Sequence, residues 1–220
     1  MPLHLSKPIL YLITRGATTE ATTANDPSFA EILNQVSAAV TAGIDLIQIR
    51  EKQLTAEVLF KLAAAAASLT RKTATQLLVN DRADIAAGAG ADGVHLTTQS
   101  LDAAVIRRTF GAEFLIGAST HSLDEARAAR VHADFVVFGP VFETPSKRGF
   151  GPPKGLAELA AIVQSVRDFP VIALGGISSA NAAECLRAGA SGIAGITLFD
   201  NPANFGKLCA AIQQVKGAEQ

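Results

Sequence analysis

The chain has 220 residues, of which 49% are hydrophobic, and a formal net charge of −1. That length favours one domain with a sizeable core, and the near-zero charge argues against a surface for nucleic acid or other polyanions. No apolar run is long enough to span a bilayer, and residues 1–15 lack the apolar core and small-residue cleavage site of an export signal, so a cytoplasmic protein without a membrane partner is expected.

Cys185 and Cys209 are unpatterned, fall on helical stretches and are expected to stay reduced. With no Trp and a single Tyr, the interior should be aliphatic and built of small residues. An apolar, near-neutral chain of this size is a candidate homodimer.

Strand-length apolar runs alternate with helical patterns from end to end. Strands are expected at residues 9–14, 46–50, 76–80, 93–96, 115–119, 135–139, 171–174 and 192–196. Several are apolar without alternation, as in a parallel sheet covered by helices. The approaches to the even-numbered strands resemble one another: Ala42-Gly-Ile-Asp45, Ala89-Gly-Ala-Asp92, His132-Ala-Asp134 and Ala188-Gly-Ala-Ser191. The odd strands have their own look, clearest in Pro8-Ile-Leu-Tyr and Phe169-Pro-Val-Ile. Two unit types alternating over eight strands point to an α/β fold, a (β/α)8 TIM barrel of four double units, with residues 1–220 as a single domain. A doubly wound open sheet is the alternative. No Gly-x-Gly-x-x-Gly follows the first strand, which counts against a dinucleotide fold.

After strand one, residues 16–27 are polar and Thr-rich, and read as a mobile loop. Strand two ends Gln48-Ile-Arg-Glu-Lys52. Alternation puts Gln48 and Arg50 on one face with Ile49 opposite. An amide, a guanidinium and an ammonium thus gather at the barrel mouth, a set suited to phosphate. The alternative is an Arg50–Glu51 ion pair on the rim. Strand three ends Val79-Asn80-Asp81-Arg82, where Asp81 is either a helix N-cap or a carboxylate for Mg²⁺. Strand five ends Gly117-Ala-Ser-Thr-His121. Ser119 or Thr120 can meet a ligand edge, and His121 is either an acid/base near neutral pH or an ordinary residue before the capping box Ser122-Leu-Asp-Glu125. His4 and His132 read as surface residues.

Residues 140–155 follow strand six and hold Pro145, Pro152, Pro153, Lys147 and Arg148. A loop this long inside a compact domain is usually functional, and it leaves the face where barrel active sites sit. It reads as an active-site lid, with Thr144, Ser146 and Lys147 as a clamp for a diphosphate, or else as a solvated loop. Strand seven, Pro-Val-Ile-Ala-Leu174, stops at Gly175-Gly176, and strand eight is Gly192-Ile-Ala-Gly-Ile-Thr197. Two glycine-rich strand ends late in the chain suggest a phosphate cradle; two tight turns without a ligand are the plain alternative.

Taken together, Gln48-Ile-Arg-Glu-Lys52, Asn80-Asp-Arg82, Gly93-Val-His-Leu96, Gly139-Pro-Val-Phe142 and Gly175-Gly-Ile177 resemble the thiamine phosphate synthase family, which shares its barrel with the thiazole tautomerases. The resemblance runs from Ile9 to about Phe199. It implies a transferase that joins an aminopyrimidine methyl diphosphate to a thiazole phosphate and releases diphosphate. The implied route is dissociative, through a pyrimidine-methyl cation, with Mg²⁺ as cofactor and small phosphorylated molecules as partners. By the same resemblance, Gln48, Arg50, Lys52, Asn80 and Lys147 hold the pyrimidine diphosphate, Asp81 holds the metal, and Ser119 touches the pyrimidine. Thr144, Ser146 and Gly176 bind the thiazole phosphate, and Ile196 and Thr197 line the far side. Lys147, Ser119 and His121 are the expected catalytic residues.

The sequence also departs from the synthase pattern. After Gly93-Val-His-Leu96 it reads Thr97-Thr-Gln-Ser100, so Ser100 stands where synthases carry a second metal-binding Asp and where tautomerases carry Ser. Glu143 in Val141-Phe-Glu-Thr144 also leans to the tautomerases. Asp102 is near enough in sequence to act as a substitute ligand. Besides the synthase, the open readings are a metal-independent thiazole tautomerase using His121 and a non-catalytic phosphate-binding barrel. Another phosphate-binding barrel enzyme, an epimerase or aldolase, is also open, although no Lys lies inside a strand to form a Schiff base.

Overall fold

The computed structural model describes residues 8–144 and 152–217. Eight parallel strands close into a barrel in chain order: β1 (Ile9–Ile13), β2 (Leu46–Ile49), β3 (Gln76–Asn80), β4 (Gly93–Leu96), β5 (Leu115–Thr120), β6 (Phe135–Phe138), β7 (Val171–Ala173) and β8 (Gly192–Gly195). Between them run α1 (Pro27–Ala42), α2 (Ala56–Thr70), α3 (Ala83–Ala89), α4 (Ala103–Phe110), α5 (Leu123–Ala129), α6 (Gly155–Ser165) and α7 (Ala182–Arg187), and α8 (Phe205–Gly217) closes the chain. The pairing of Ile9 with Gly192 and Tyr11 with Ala194 seals the sheet, which rules out the open doubly wound alternative. The expected strands are all present, with ends differing by a residue.

The pleat divides each strand between two cores. Ile9, Tyr11, Ile13, Leu46, Leu78, Leu115, Phe135, Val137, Ile172 and Ala194 pack inside the barrel. Leu10, Leu12, Ile47, Ile49, Val79, Val136 and Phe138 face outward to the helices. Both faces are buried, so the strands read as continuous apolar runs. Each such side chain contributes roughly 1.5–3 kcal/mol. Inside, glycine makes room for bulk: a Cβ on Gly117 would lie 2.3 Å from the Phe135 ring and 2.8 Å from His95 Nδ1.

The four similar strand approaches have a common job. Asp45 donates its N–H to Leu10 O, and its carboxylate accepts from Leu10 N at 2.9 Å. Asp92 does the same to Leu77, at 2.7 Å, and Asp134 to Ile116, at 2.6 Å. Ser191 repeats the contact on Val171 with a hydroxyl at 3.4 Å. Each even strand is therefore clamped to the first residues of the odd strand before it. This satisfies a strand-end N–H that has no ladder partner. The clamps all lie at the N-terminal end of the barrel, away from the face that carries function in this fold.

At the other end, Pro27 is the first residue of α1, so the β1–α1 loop stops at Asp26. The loop is tied down where it begins. Glu51, only 3% exposed, accepts from Gly16 N, Thr18 N and Thr18 Oγ1 at 3.0, 3.2 and 2.8 Å. Cys185 and Cys209 are buried and form no disulfide.

Candidate active site

From the middle of β1 and the C-terminal ends of β2 to β5, polar side chains line the barrel interior. Ser119 Oγ lies 2.9 Å from His95 Nε2. His95 Nδ1 lies 3.2 Å from the Tyr11 hydroxyl, which donates to Gln48 Oε1 at 3.1 Å. Gln48 Nε2 donates to Asn80 Oδ1 at 2.9 Å, and Asn80 Nδ2 donates to Asp81 Oδ2 at 2.7 Å. Six side chains from five strands thus form one line of hydrogen bonds. Tyr11, Gln48, Asn80 and His95 are buried. A buried polar network of this kind is tolerable only when every member is satisfied. Burial drives the His95 imidazole down to about 4, with Asp81 pulling it up and Arg50 pushing it down, so it is neutral at pH 7. Burial also raises the Tyr11 phenol well above its ordinary value.

Asp81 ends the line on an unusual backbone. Its φ is +59°, in the left-handed region. It does not cap a helix: Arg82 holds the cap position of α3, and no side chain bonds there. The N-cap alternative therefore falls. The Asp81 carboxylate instead gathers hydroxyls, from Ser100 through a short hydrogen bond and from Thr97 at 3.2 Å. Ser100 thus sits against the expected metal ligand. Asp102, the candidate substitute ligand, caps α4: its carboxylate accepts from Ala104 N at 2.6 Å. Among the described residues no three His, Cys, Asp or Glu side chains converge on a metal position. One carboxylate ringed by oxygen donors does fit a hard cation whose remaining ligands are phosphate and water.

Gln48 and Arg50 follow the expected alternation, Gln48 buried inside and Arg50 half-buried at the mouth. The Arg50 N–H donates to Thr14 Oγ1 at 2.8 Å. Its guanidinium lies over Gly16, with Nη1 3.1 Å from where a Cβ would stand. Glu51 is engaged by Gly16 and Thr18 rather than by Arg50, and Lys52 is exposed.

His121 stands at the end of β5, half-buried, with Nδ1 2.6 Å from Gly139 O. That carbonyl only accepts, so Nδ1 carries the proton and Nε2 keeps its lone pair when the ring is neutral. The capping box behind it is present in altered form. Ser122 Oγ accepts from Glu125 N at 3.2 Å, but Glu125 reaches His121 N, at 2.6 Å, rather than Ser122 N.

The glycines after β7 are explained by the loop after β6. Val141 N donates to Leu174 O and Phe142 N to Gly175 O. A Cβ on Gly175 (φ +101°) would lie 2.5 Å from Pro140 Cα, and one on Gly176 (φ +64°) 2.5 Å from Glu143 O. The glycines let two backbones touch. The loop's two ends are also joined, by Lys154 N to Pro140 O and Gly155 N to Val141 O. Thr144 is half-buried beside this contact; Ser146 and Lys147 lie outside the described residues. After β8, Ile196 packs on the interior cluster and Thr197 is exposed at the start of a 3-10 turn.

All the described site residues therefore end up on one face of the barrel. Sequence reasoning missed Tyr11 and His95. His95 lies within the stretch Gly93-Val-His-Leu96. Parity with Gly93 would have marked it as an inward polar residue, the same argument that singled out Gln48. A cavity of about 460 Å³ between α1 and α8, lined by Asn34, Ser37, Thr41, Pro202 and Phe205, is on the outside of the barrel and away from these residues.

Residues 10–199 match the family model described as thiamine monophosphate synthase. The chain is 47% identical over 165 residues to a putative thiamine-phosphate synthase of Geobacter sulfurreducens, covering 74% of this chain and 77% of that one. It is 39% identical over 197 residues to a thiamine-phosphate synthase of Roseiflexus castenholzii, covering 89% and 86%. Among solved structures, thiamine phosphate pyrophosphorylase from Pyrococcus furiosus superposes with a TM-score of 0.80 at 30% identity, covering 96% of this chain and 98% of that one.

Proposed function

The chain belongs to the thiamine monophosphate synthase family, and from that premise we propose that it is a thiamine-phosphate synthase acting in the cytoplasm. It would couple an aminopyrimidine methyl diphosphate to a thiazole phosphate and release diphosphate. The observation that carries this reading is the line of amides from Gln48 to Asp81 beside Arg50. A dissociative step builds negative charge on the leaving diphosphate, so catalysis depends on donors fixed in advance around that charge. Gln48 and Asn80 each use one amide N–H within the line and keep the second for a ligand oxygen. Arg50 adds a fork of donors and Lys52 a point charge. Lys147 belongs to the same set by resemblance, together with Ser146, Thr144 and Gly176 for the thiazole phosphate.

Asp81, with Ser100 and Thr97 around it, would hold Mg²⁺. When bound, the ion would neutralise part of the diphosphate charge. Ser119 would meet the pyrimidine ring, and the apolar wall of Leu174 and Ile196 gives a flat heterocycle a surface to lie on.

Two features, Ser100 beside Asp81 and the lone pair on His121 Nε2, support the isomerase as the second reading. The deciding experiment incubates the protein with both substrates, with and without Mg²⁺, and follows diphosphate release. Release that requires both substrates and the metal is the expected result. No release from a folded protein that binds the thiazole phosphate would overturn the proposal. Metal-independent isomerisation abolished in His121→Ala and retained in Asp81→Ala would then identify the tautomerase.

A further inference from the structure

We propose that Asp81 sets the hydrogen-bonding polarity of Ser119 through Asn80, Gln48, Tyr11 and His95, so that Ser119 meets the substrate only as an acceptor and selects a donor group there. This makes Tyr11 and His95 positioning residues. The consequence for substrate choice rests on the synthase reading, whereas the polarity itself rests on geometry.

The direction of each bond follows from the one before. An ionised carboxylate accepts only, so Asn80 must turn its NH₂ to Asp81 and its carbonyl to Gln48. Gln48 must then turn its NH₂ to Asn80 and its carbonyl to Tyr11. That carbonyl takes the single phenolic proton of Tyr11. The Tyr11 oxygen therefore has only lone pairs for His95, and the contact at 3.2 Å requires a proton on Nδ1. A neutral imidazole protonated at Nδ1 has a bare Nε2. Ser119, 2.9 Å away, must give its proton to it. The Ser119 oxygen then faces the site with lone pairs alone.

Reversing any one link places two lone pairs, or two protons, against each other at about 3 Å, in a line whose three middle contacts are buried and whose two end contacts are part-buried. An unsatisfied buried group of this kind costs about 1–3 kcal/mol. The line holds five contacts and no member with both ends free, so a reversal cannot be absorbed along it. A proton on both His95 nitrogens would be a buried charge faced only by the neutral hydroxyls of Tyr11 and Ser119, which burial disfavours. A ligand N–H or O–H is therefore matched at Ser119, and an acceptor there meets a second acceptor. The 4-amino group of an aminopyrimidine is such a donor.

The polarity is tested without any assay of activity. In ¹⁵N-labelled protein at pH 7, NMR correlation of the His95 ring should show a protonated Nδ1 and a bare Nε2. The opposite tautomer, or an imidazolium, overturns the proposal. Tyr11→Phe then removes the acceptor for Nδ1–H. The ring is expected to move its proton to Nε2, which lets Ser119 offer a proton to the ligand. Turnover is compared between the aminopyrimidine diphosphate and its 4-methoxy analogue, and the ratio is taken between wild type and Tyr11→Phe, which cancels the analogues' intrinsic reactivities. Preference for the amino substrate should fall by about tenfold or more, the factor that corresponds to one neutral hydrogen bond. An unchanged ratio overturns the role of the line in selection. If Tyr11→Phe fails to fold, the wild-type tautomer decides. If the tautomer is as stated and neither substrate turns over, the polarity stands and the synthase reading falls.

Discussion

Replacing Gly175 by Ala separates two explanations of the glycine pair after β7. If the glycines serve only to admit a phosphate, the variant should fold as stably as wild type and bind substrate less well. The structure predicts a loss of stability instead. Gly175 has φ +101°, a conformation that costs an L-residue about 1–2 kcal/mol relative to glycine. The new Cβ would also lie 2.5 Å from Pro140 Cα and Cβ and 3.3 Å from Pro140 C. These neighbours are backbone and a ring fixed to it, so no flexible side chain can swing away. Forcing a methyl group into such a space costs typically 1–3 kcal/mol. The combined expectation is about 2–5 kcal/mol. Gly43→Ala is the control, because Gly43 has φ +75° at the end of α1 with nothing within 4 Å of a Cβ. It should lose only the conformational part, about 1–2 kcal/mol. Urea unfolding followed by circular dichroism measures both. With a slope of about 2–3 kcal/mol per molar, Gly175→Ala should lower the midpoint by about 1 M or more, and clearly beyond Gly43→Ala. Equal losses in the two variants would refute the close-contact reasoning.

Three further outcomes follow from the geometry. His95 has its folded-state value lowered to about 4 against about 6.5 when unfolded; the unfolded chain therefore binds more protons between those values, and stability falls as the pH drops through that window. The contribution present above pH 6.5 is on the order of 3 kcal/mol, so urea midpoints at pH 7, 5.5 and 4.5 should decline more steeply for wild type than for His95→Gln, and parallel declines would refute it. The strand clamps should rank by chemistry: Asp92→Ala removes a carboxylate acceptor at 2.7 Å and should cost about 2 kcal/mol, whereas Ser191→Ala removes a hydroxyl at 3.4 Å and should cost under about 0.5 kcal/mol; equal losses would show that the side-chain clamp is not what stabilises the strand approach. Ser100→Asp sets a second carboxylate against Asp81, so the melting temperature should fall without Mg²⁺ and recover on adding it, with half-saturation at about tenfold lower metal than wild type; a melting temperature indifferent to Mg²⁺ would place Ser100 outside a metal site.

The barrel was legible in the sequence because both faces of its strands are buried, so each strand is an apolar run bounded by turn residues. The repeated approaches to the even strands were legible as a repeat, but their work was not. Asp45, Asp92, Asp134 and Ser191 each hold one backbone N–H across a sheet neighbour, a partnership that spacing along the chain does not reveal. Gly175-Gly176 was read through phosphate binding because glycine signals closeness without saying to what. The partner in the structure is the loop after β6. A cap is one of the two readings that the type and place of Asp81 allow in the sequence, and only the left-handed backbone shows its carboxylate turned toward Ser100 instead.

The inward residues of the eight strands divide the barrel mouth into two walls. From β1 to β5 the inward polar side chains are Tyr11, Gln48, Asn80, His95 and Ser119, all joined by hydrogen bonds, with the apolar Ile13 above Tyr11 on β1. From β6 to β8 the uppermost inward side chains are Val137, Leu174 and Ile196, all apolar. A flat ring with polar edges suits the space between them. The apolar wall can cover a face of such a ring with little demand for direction, whereas the polar wall can address its edge atom by atom. The polar wall is also the one that carries Arg50 and Asp81, so on the proposed synthase reading the leaving diphosphate and the pyrimidine ring would be addressed from the same side. One line of hydrogen bonds would then position both, and on that reading a substitution at Tyr11, which lies outside the expected contacts with either, should be felt by the pyrimidine edge at Ser119 and by the diphosphate at Gln48 together.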